Sequence, residues 1–103
     1  MQVALTVWEG RISPLFDATR MLLVANITER TITAWRYVPL ECDSAFSRAA
    51  KLADLGVTTL ICGGISELFA NAIEAQGIRL IPFVSGTVQE VLDAYLNGQV
   101  NEY

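Results

Sequence analysis

The side chains that usually carry catalysis are scarce in this chain. It contains no histidine, so it lacks both the commonest general base and the commonest metal ligand. The two cysteines, Cys42 and Cys62, form no zinc-type Cys/His spacing. The strand-like segments 3–8 and 57–62 contain no Asp or Glu, whereas a two-metal nuclease needs several carboxylates on its central strands. We therefore expect no enzymatic activity.

Glycines and small polar residues follow two apolar segments and predict a binding site for an anion. Gly63 and Gly64 directly follow Cys62, and Gly86 precedes the helix signal at Thr87. Unpaired backbone amides at a helix N-terminus accept anions, and glycine lets a ligand approach the backbone closely. The predicted ligand-binding residues also include positions from an earlier loop, and the full set is Arg11, Ser13, Phe16, Gly63, Gly64, Ile65, Ser66, Ser85, Gly86 and Thr87.

Each of these features also has a purely structural interpretation. A Gly-Gly pair after a strand is more often a tight turn than a ligand cradle. Phe16 is more often a packing residue than a stacking one, and a cysteine at the end of an apolar strand, such as Cys62, is more often part of the core. The glycines match neither the Walker nor the Rossmann fingerprint, so they do not predict nucleotide binding.

Composition and charge restrict the class of partner. The 103 residues include 11 acidic and 7 basic side chains, which gives a net charge of −4. Phosphate neutralisation requires the opposite balance, so nucleic acid is not an expected partner. No apolar run reaches the ~18 residues of a membrane span, and the N-terminus shows no signal-peptide pattern. We expect a single cytoplasmic domain with reduced thiols and no membrane partner.

The periodicity of apolar residues divides the chain into two halves. Residues 2–8, 21–27 and 31–38 predict strands, the last two as a hairpin, with residues 9–19 as a loop. From Asp43 or Ser44 onward, helices alternate with short buried strands. The predicted segments of this second half are a helix ending at Gly56, a strand over 57–62, a helix from Ser66 to Gly77, a strand over 78–81 and a helix from Thr87 to Gly98.

This order, β-β-β-α-β-α-β-α, predicts an α/β fold with one mixed five-stranded sheet. Short connections make the first half antiparallel, and right-handed crossovers make the second half parallel. The simplest strand order is 3-2-1-4-5, with three helices distributed over both faces, which is a ribonuclease-H-like three-layer α/β/α arrangement. The loops after strands one, four and five should then meet at one edge, where ligands bind in such sheets.

Four segments, 10–17, 55–57, 61–65 and 84–98, resemble the dinitrogenase iron–molybdenum cofactor biosynthesis family. This family includes nitrogenase accessory proteins of the X and Y type and the C-terminal domain of the B-type cofactor synthase. The resemblance implies one domain over residues 1–98, a short tail over 99–103, a ribonuclease-H-like fold and a non-enzymatic role. That role would be to carry an iron–molybdenum or other metal–sulfur cluster, or its precursor, among cofactor-assembly proteins.

The sequence matches this family at several motif residues and departs from it at one. Several relatives carry a histidine after Ser-Pro, where this chain has Leu15, so ligation by histidine is not available here. Cys62 matches the family motif and is the candidate metal ligand. Two alternatives stay open: a metal-free interaction module that uses Trp8 or Trp35, and a binder of a phosphate-bearing metabolite at the same edge.

Overall fold

Residues 1–98 are the part of the chain that this computed structural model describes. The predicted tail over 99–103 lies outside the described residues. The strands are β1 (Gln2–Trp8), β2 (Arg11–Ile12), β3 (Met21–Thr28), β4 (Thr31–Pro39), β5 (Val57–Ile61) and β6 (Arg79–Ile81). The α-helices are α1 (Ala45–Asp54), α2 (Glu67–Ala75) and α3 (Val88–Leu96), and a 3₁₀ turn covers Phe16–Ala18.

The main sheet has the order β4-β3-β1-β5-β6. Strand β1 is antiparallel to β3 and parallel to β5, and β5 is parallel to β6. The predicted order of the five long strands is therefore confirmed, as are the mixed sheet and the three helices. Whether the fold is related to ribonuclease H stays a prediction.

A sixth strand, β2, corrects the prediction of five strands and of a continuous loop over residues 9–19. It pairs antiparallel with the end of β1, so that Val7 lies opposite Ile12. Glu9 and Gly10 have positive φ values of 50° and 77° and turn the chain back on itself. A strand of two residues is too short to show the alternation by which strands are recognised in a sequence.

Helices cover both faces of the sheet, as predicted for a three-layer arrangement. One apolar cluster joins Ala4 of β1 to α1 and α2, through residues such as Leu52 and Ile73. The other cluster joins the neighbouring β1 residue, Leu5, to α3 through Leu92. Because successive side chains of a strand point to opposite faces, β1 contributes to both clusters. None of the helices described here has the length and apolar character needed to cross a membrane.

The β3–β4 hairpin is confirmed, although its turn lacks the usual residues. Glu29 and Arg30 connect the two strands, and their φ values are 52° and 63°. Gly or Asn usually occupies this left-handed conformation. Because the turn has Glu29 and Arg30 instead, the sequence carries no turn signal there. Strand β4 lies at one edge of the sheet, where Trp35 and Tyr37 are 62% and 52% exposed. The register between β3 and β4 shifts at a bulge near Asn26.

Candidate functional site

A cleft of about 470 Å³ lies at the edge of the sheet where β1, β5 and β6 end. Three connections contribute to its wall, as the predicted topology requires. They are the segment 9–20 between β1 and β3, called the first loop below, the Gly-Gly loop after β5 and the loop after β6. Of the predicted ligand-binding residues, five line this cleft: Arg11, Gly63, Gly64, Ser85 and Gly86. The remaining lining residues are Ile12, Pro14, Phe83 and Val84.

Main-chain hydrogen bonds tie the first loop to the Gly-Gly loop. The amide of Gly64 donates to the carbonyl of Pro14 at 2.8 Å, and the amide of Phe16 donates to the carbonyl of Gly64 at 2.7 Å. The loop after β6 is attached in turn, because Phe83 donates to the carbonyl of Gly63 at 2.9 Å. The three loops therefore form one hydrogen-bonded unit, and the amide of Gly64 is already used inside it.

Gly63 is required for the close approach of two backbones. It is buried, and a Cβ at this position would lie 2.5 Å from the carbonyl oxygen of Ser13 and 2.7 Å from that of Pro14. A Cβ on Gly64 would lie 3.3 Å from the same Pro14 oxygen, a tight contact that a shift of a few tenths of an ångström would relieve. The first glycine of the pair thus serves loop packing, while a Cβ at the second would require only a small shift of its neighbour.

The N-termini of α2 and α3 already receive carboxylates from the chain itself. Asp17 accepts a hydrogen bond from the amide of Ser66 at 3.2 Å, and the hydroxyl of Ser66 makes no capping bond. At α3, Thr87 and Glu90 form the predicted capping box, in which Glu90 accepts from the Thr87 amide at 3.1 Å. An external anion at either helix end would have to compete with these carboxylates, so the helix ends are less open than the sequence suggested.

The free donors of the cleft lie elsewhere. Arg11 is exposed and lines the cleft, whereas Arg20 forms an exposed ion pair with Asp43 at 3.1 Å. Within the described residues, the amides of Ser85 and Gly86 donate no hydrogen bond. The arrangement therefore offers one guanidinium and two main-chain donors to a ligand, beside an apolar wall.

The aromatic residue of the cleft is Phe83, which was not among the predicted site residues. Phe83 is 69% exposed and has a φ of 62°, an unusual conformation for a bulky side chain. Phe16, which was predicted to contact the ligand, is instead fully buried and packs edge-to-face on Phe69 with 5.6 Å between ring centroids. An aromatic residue directly after Pro82 in a loop was the only sequence signal that could have pointed to Phe83.

Four other predicted residues lie outside the cleft wall, and one of them is Ser66, whose amide donates to Asp17. Ser13 is buried, and its hydroxyl donates to the carbonyl of Leu15 at 3.4 Å. Ile65 is partly buried against the core cluster under α1 and α2. Thr87 adjoins the cleft through its backbone bridge to Arg11, while its side chain is engaged in the α3 cap.

Cys62 lies in the core rather than at the surface of the cleft. Its side chain is fully buried, and burial raises the pKa of the thiol to about 12, with a further contribution from the charge of Asp17. A buried neutral thiol is a poor metal ligand, because the thiolate is the ligating form. Within residues 1–98, no group of three or more His, Cys, Asp or Glu side chains is arranged to hold a metal ion.

Comparison with known proteins agrees with this architecture. The chain belongs to the dinitrogenase iron-molybdenum cofactor family, whose model matches residues 1–98. No curated protein sequence matches it. The chain is similar in fold to PH0822, with a TM-score of 0.91, 18% identity and coverage of 99% of this chain and 94% of that one. It is also similar to the apo form of the orange protein from Desulfovibrio gigas, with a TM-score of 0.82, 24% identity and coverage of 99% and 92%.

Proposed function

We propose that this chain is a non-enzymatic cytoplasmic carrier of an anionic metal–sulfur cluster, either the iron–molybdenum cofactor or a precursor of it. The observation that carries the proposal is the cleft at the sheet edge, which is lined by Arg11, Phe83 and the loop residues Ser85 and Gly86, whose amides donate no hydrogen bond within the described residues. The chain belongs to a family associated with the iron–molybdenum cofactor, and this membership makes that cofactor or its precursor the preferred candidate ligand for the cleft.

The chemistry of the cleft suits a large, diffuse anion. A guanidinium and main-chain amides supply hydrogen bonds to sulfide or oxide ligands without contributing a negative charge. The exposed ring of Phe83 and the side chains of Pro14 and Val84 provide an apolar wall. Such a site holds a preformed cluster non-covalently, which lets a carrier release it to cofactor-assembly proteins.

A role in holding rather than transforming the ligand follows from the same residues. The chain has no histidine, and β1 and β5 carry no carboxylate. None of the described residues that line the cleft is a histidine or a carboxylate, and this supports a holding role. Cys62 is assigned to core packing, because its raised pKa keeps the thiol protonated.

The proposal is tested by anaerobic binding of tetrathiomolybdate, an anionic molybdenum–sulfur compound, and of iron with sulfide. Arg11→Gln should weaken binding by about tenfold, since one charge-assisted hydrogen bond is lost. The matched control is Arg30→Gln, which makes the same change of charge at the β3–β4 turn, at the opposite end of β1. Bound metal is measured by elemental analysis and by visible absorption.

A second variant tests the cleft by steric exclusion. Gly64→Val places a branched side chain in the cleft wall, where the Cβ itself meets the Pro14 oxygen at 3.3 Å and requires a small shift of that loop. Loss of metal binding with little loss of stability would support the proposed site. If Arg11→Gln and Gly64→Val both bind as the wild type does, the cleft is not the ligand site.

The exposure of β4 favours one alternative function, a metal-free interaction module. Trp35 and Tyr37 contact each other edge-to-face, with ring centroids 5.7 Å apart, and line a separate groove of about 230 Å³ against α3. Exposed aromatic residues are typical of protein-binding surfaces. If the wild-type protein takes up neither tetrathiomolybdate nor an iron–sulfur cluster, this alternative becomes the better interpretation.

A further inference from the structure

Phe83 occupies a backbone position that ordinarily belongs to glycine. Its φ of 62° lies in the left-handed region, which is unfavourable for a bulky side chain and which Gly or Asn adopts readily. The other non-glycine residues with positive φ in the described chain are Glu9, Glu29 and Arg30, which lie in the turns between antiparallel strands. Phe83 lies in no such turn, so hairpin geometry does not account for its conformation.

The hydrogen bonds of the loop after β6 show why this φ is required. The amide of Phe83 donates to the carbonyl of Gly63 at 2.9 Å, and the next amide, that of Val84, donates to the carbonyl of Cys62 at 2.9 Å. In an extended strand, successive amides point to opposite sides, so two consecutive amides reach the same neighbouring segment only where the chain leaves the extended conformation. The left-handed φ of Phe83 makes this change, as a glycine does in a β-bulge.

Packing does not account for a phenylalanine at this position either. The Phe83 side chain is 69% exposed, whereas the adjacent Val84 packs against the apolar cluster under α3. A residue that neither relaxes the backbone nor fills the core makes the fold less stable than asparagine would. Strained residues of this kind are concentrated at ligand-binding sites, and Phe83 lines the cleft together with Arg11.

The first loop, which lines the same cleft, is held in place as firmly as the loop after β6. The Gly64 amide donates to the carbonyl of Pro14 at 2.8 Å. Arg48 of α1 is buried, and its Nη1 donates to the carbonyl of Phe16 at 2.8 Å. Because both loops are fixed by hydrogen bonds, the cleft is built before a ligand arrives, and its lining residues set which anion fits.

An aromatic ring beside a guanidinium discriminates between anions of equal charge. Arg11 attracts any anion, since its contribution is a charge-assisted hydrogen bond. Anions coordinated by oxygen lose hydrogen bonds to water where they meet an apolar surface. Sulfur is larger and more polarisable and makes favourable contacts with aromatic rings. A ring in the cleft wall therefore favours anions coordinated by sulfur.

We propose that Phe83 is the specificity-determining residue of the cleft and selects anions coordinated by sulfur over anions coordinated by oxygen. This selection rests on the proposed function, because it concerns ligands that Arg11 alone would accept alike. The hydrogen bonds of Phe83 and Val84 keep the ring at the cleft although its φ lowers the stability of the fold.

The test compares tetrathiomolybdate with molybdate, two tetrahedral dianions that differ only in having sulfur or oxygen around the metal. Anaerobic equilibrium dialysis with metal analysis gives both dissociation constants. The wild type should prefer tetrathiomolybdate by about tenfold, which is the upper range for one sulfur–aromatic contact. Phe83→Asn should reduce this preference to about twofold or less, whereas Phe83→Tyr keeps the ring and should retain it.

Thermal unfolding separates this role from a structural one. Phe83→Asn should raise the melting temperature by about 4–8 °C, because asparagine tolerates the left-handed φ. The matched control is Glu29→Asn, which relieves a φ of 52° in the β3–β4 turn and should raise the melting temperature without changing the preference between the anions. A lower melting temperature in Phe83→Asn would show that the ring packs the fold, and it would overturn the proposal.

The binding data also separate the role of Phe83 from the proposed function. A wild type that binds neither anion refutes the carrier function and the selection with it. If Arg11→Gln weakens the binding of both anions but Phe83→Asn keeps the wild-type preference, the carrier function stands and only the role of Phe83 is refuted.

Discussion

Substituting Gly63 by alanine would test whether this glycine is present for loop packing. The Cβ of Gly63→Ala would lie 2.5 Å from the Ser13 carbonyl oxygen and 2.7 Å from that of Pro14, whereas ordinary contact begins at 3.4 Å. The first loop would have to withdraw, although the Gly64 amide holds it by a 2.8 Å bond to Pro14. Since both atoms that clash belong to the backbone, no side-chain rotation relieves the contact.

The expected loss of stability in Gly63→Ala is the difference between a destabilising effect on the folded state and a stabilising effect on the unfolded chain. Overpacking of this kind destabilises proteins by about 1–3 kcal/mol, and a strained hydrogen bond adds about 1 kcal/mol. Replacement of a glycine returns about 0.4–1 kcal/mol by reducing the entropy of the unfolded chain. We expect Gly63→Ala to lower the free energy of unfolding by about 2–3 kcal/mol, which a domain with a stability of about 5–15 kcal/mol tolerates.

Gly64→Ala is the matched control, because its Cβ would meet the Pro14 oxygen at 3.3 Å and a flexible Leu15 carbon at 3.6 Å. We expect its free energy of unfolding to stay within about 0.5 kcal/mol of the wild type. Urea titrations followed by circular dichroism measure both values. If Gly63→Ala costs no more than Gly64→Ala, close packing is not the reason for the glycine pair.

The remaining predictions concern buried polar atoms, the hairpin turn and pH. Cys62→Ser should lower the free energy of unfolding by about 1–3 kcal/mol in urea titrations, because it buries a hydroxyl group that would need a hydrogen-bond partner in an apolar cluster. Wild-type stability of the variant would contradict this. Thr6→Val should raise the melting temperature, since the Thr6 hydroxyl is buried and has no hydrogen-bond partner among residues 1–98, and calorimetry would show a lower melting temperature if the hydroxyl were satisfied. Glu29→Asn with Arg30→Gly should stabilise the hairpin by about 1 kcal/mol, because both positions have positive φ; a loss of stability in urea would argue against this turn geometry. Hydrogen bonds from Thr87 lower the pKa of Glu90 on folding, so its stabilising effect is present near neutral pH and is lost as the pH falls through the folded-state pKa. Glu90→Gln should make the melting temperature less sensitive to acid, and an unchanged pH profile would exclude this role.

The fold was predictable because its signals are local. The apolar alternation of β1 and the continuous apolar run of β3 identify strands, and short connections force them to be antiparallel. Thr87 identifies the start of α3, and Asp43 or Ser44 places the start of α1 to within one residue, because capping involves residues only three positions apart. Strand order then follows from rules of connection rather than from side-chain contacts.

The site was only partly predictable, because its details depend on contacts between distant segments. Periodicity cannot show whether an aromatic residue in an irregular loop points inward, and so Phe16, a predicted ligand-binding residue, is buried, while Phe83, for which no role was predicted, is exposed. Capping of α2 by Asp17 links residues 49 positions apart. The burial of Arg48 was also missed, since a single arginine in an amphipathic helix is normally read as exposed.

The bulge in the β3–β4 pair has a consequence for how this protein avoids aggregation. An edge strand of nine residues with exposed aromatic side chains is a template on which a foreign strand could add. The bulge near Asn26 interrupts the register, so the edge presents two short stretches instead of one long one. Pro39 lacks an amide hydrogen at the end of the strand, and Arg36 places a charge on the face of the strand opposite the aromatic pair, where it donates to Gln2 at 3.5 Å. The edge can thus remain rich in aromatic residues without becoming a continuous surface for uncontrolled strand addition.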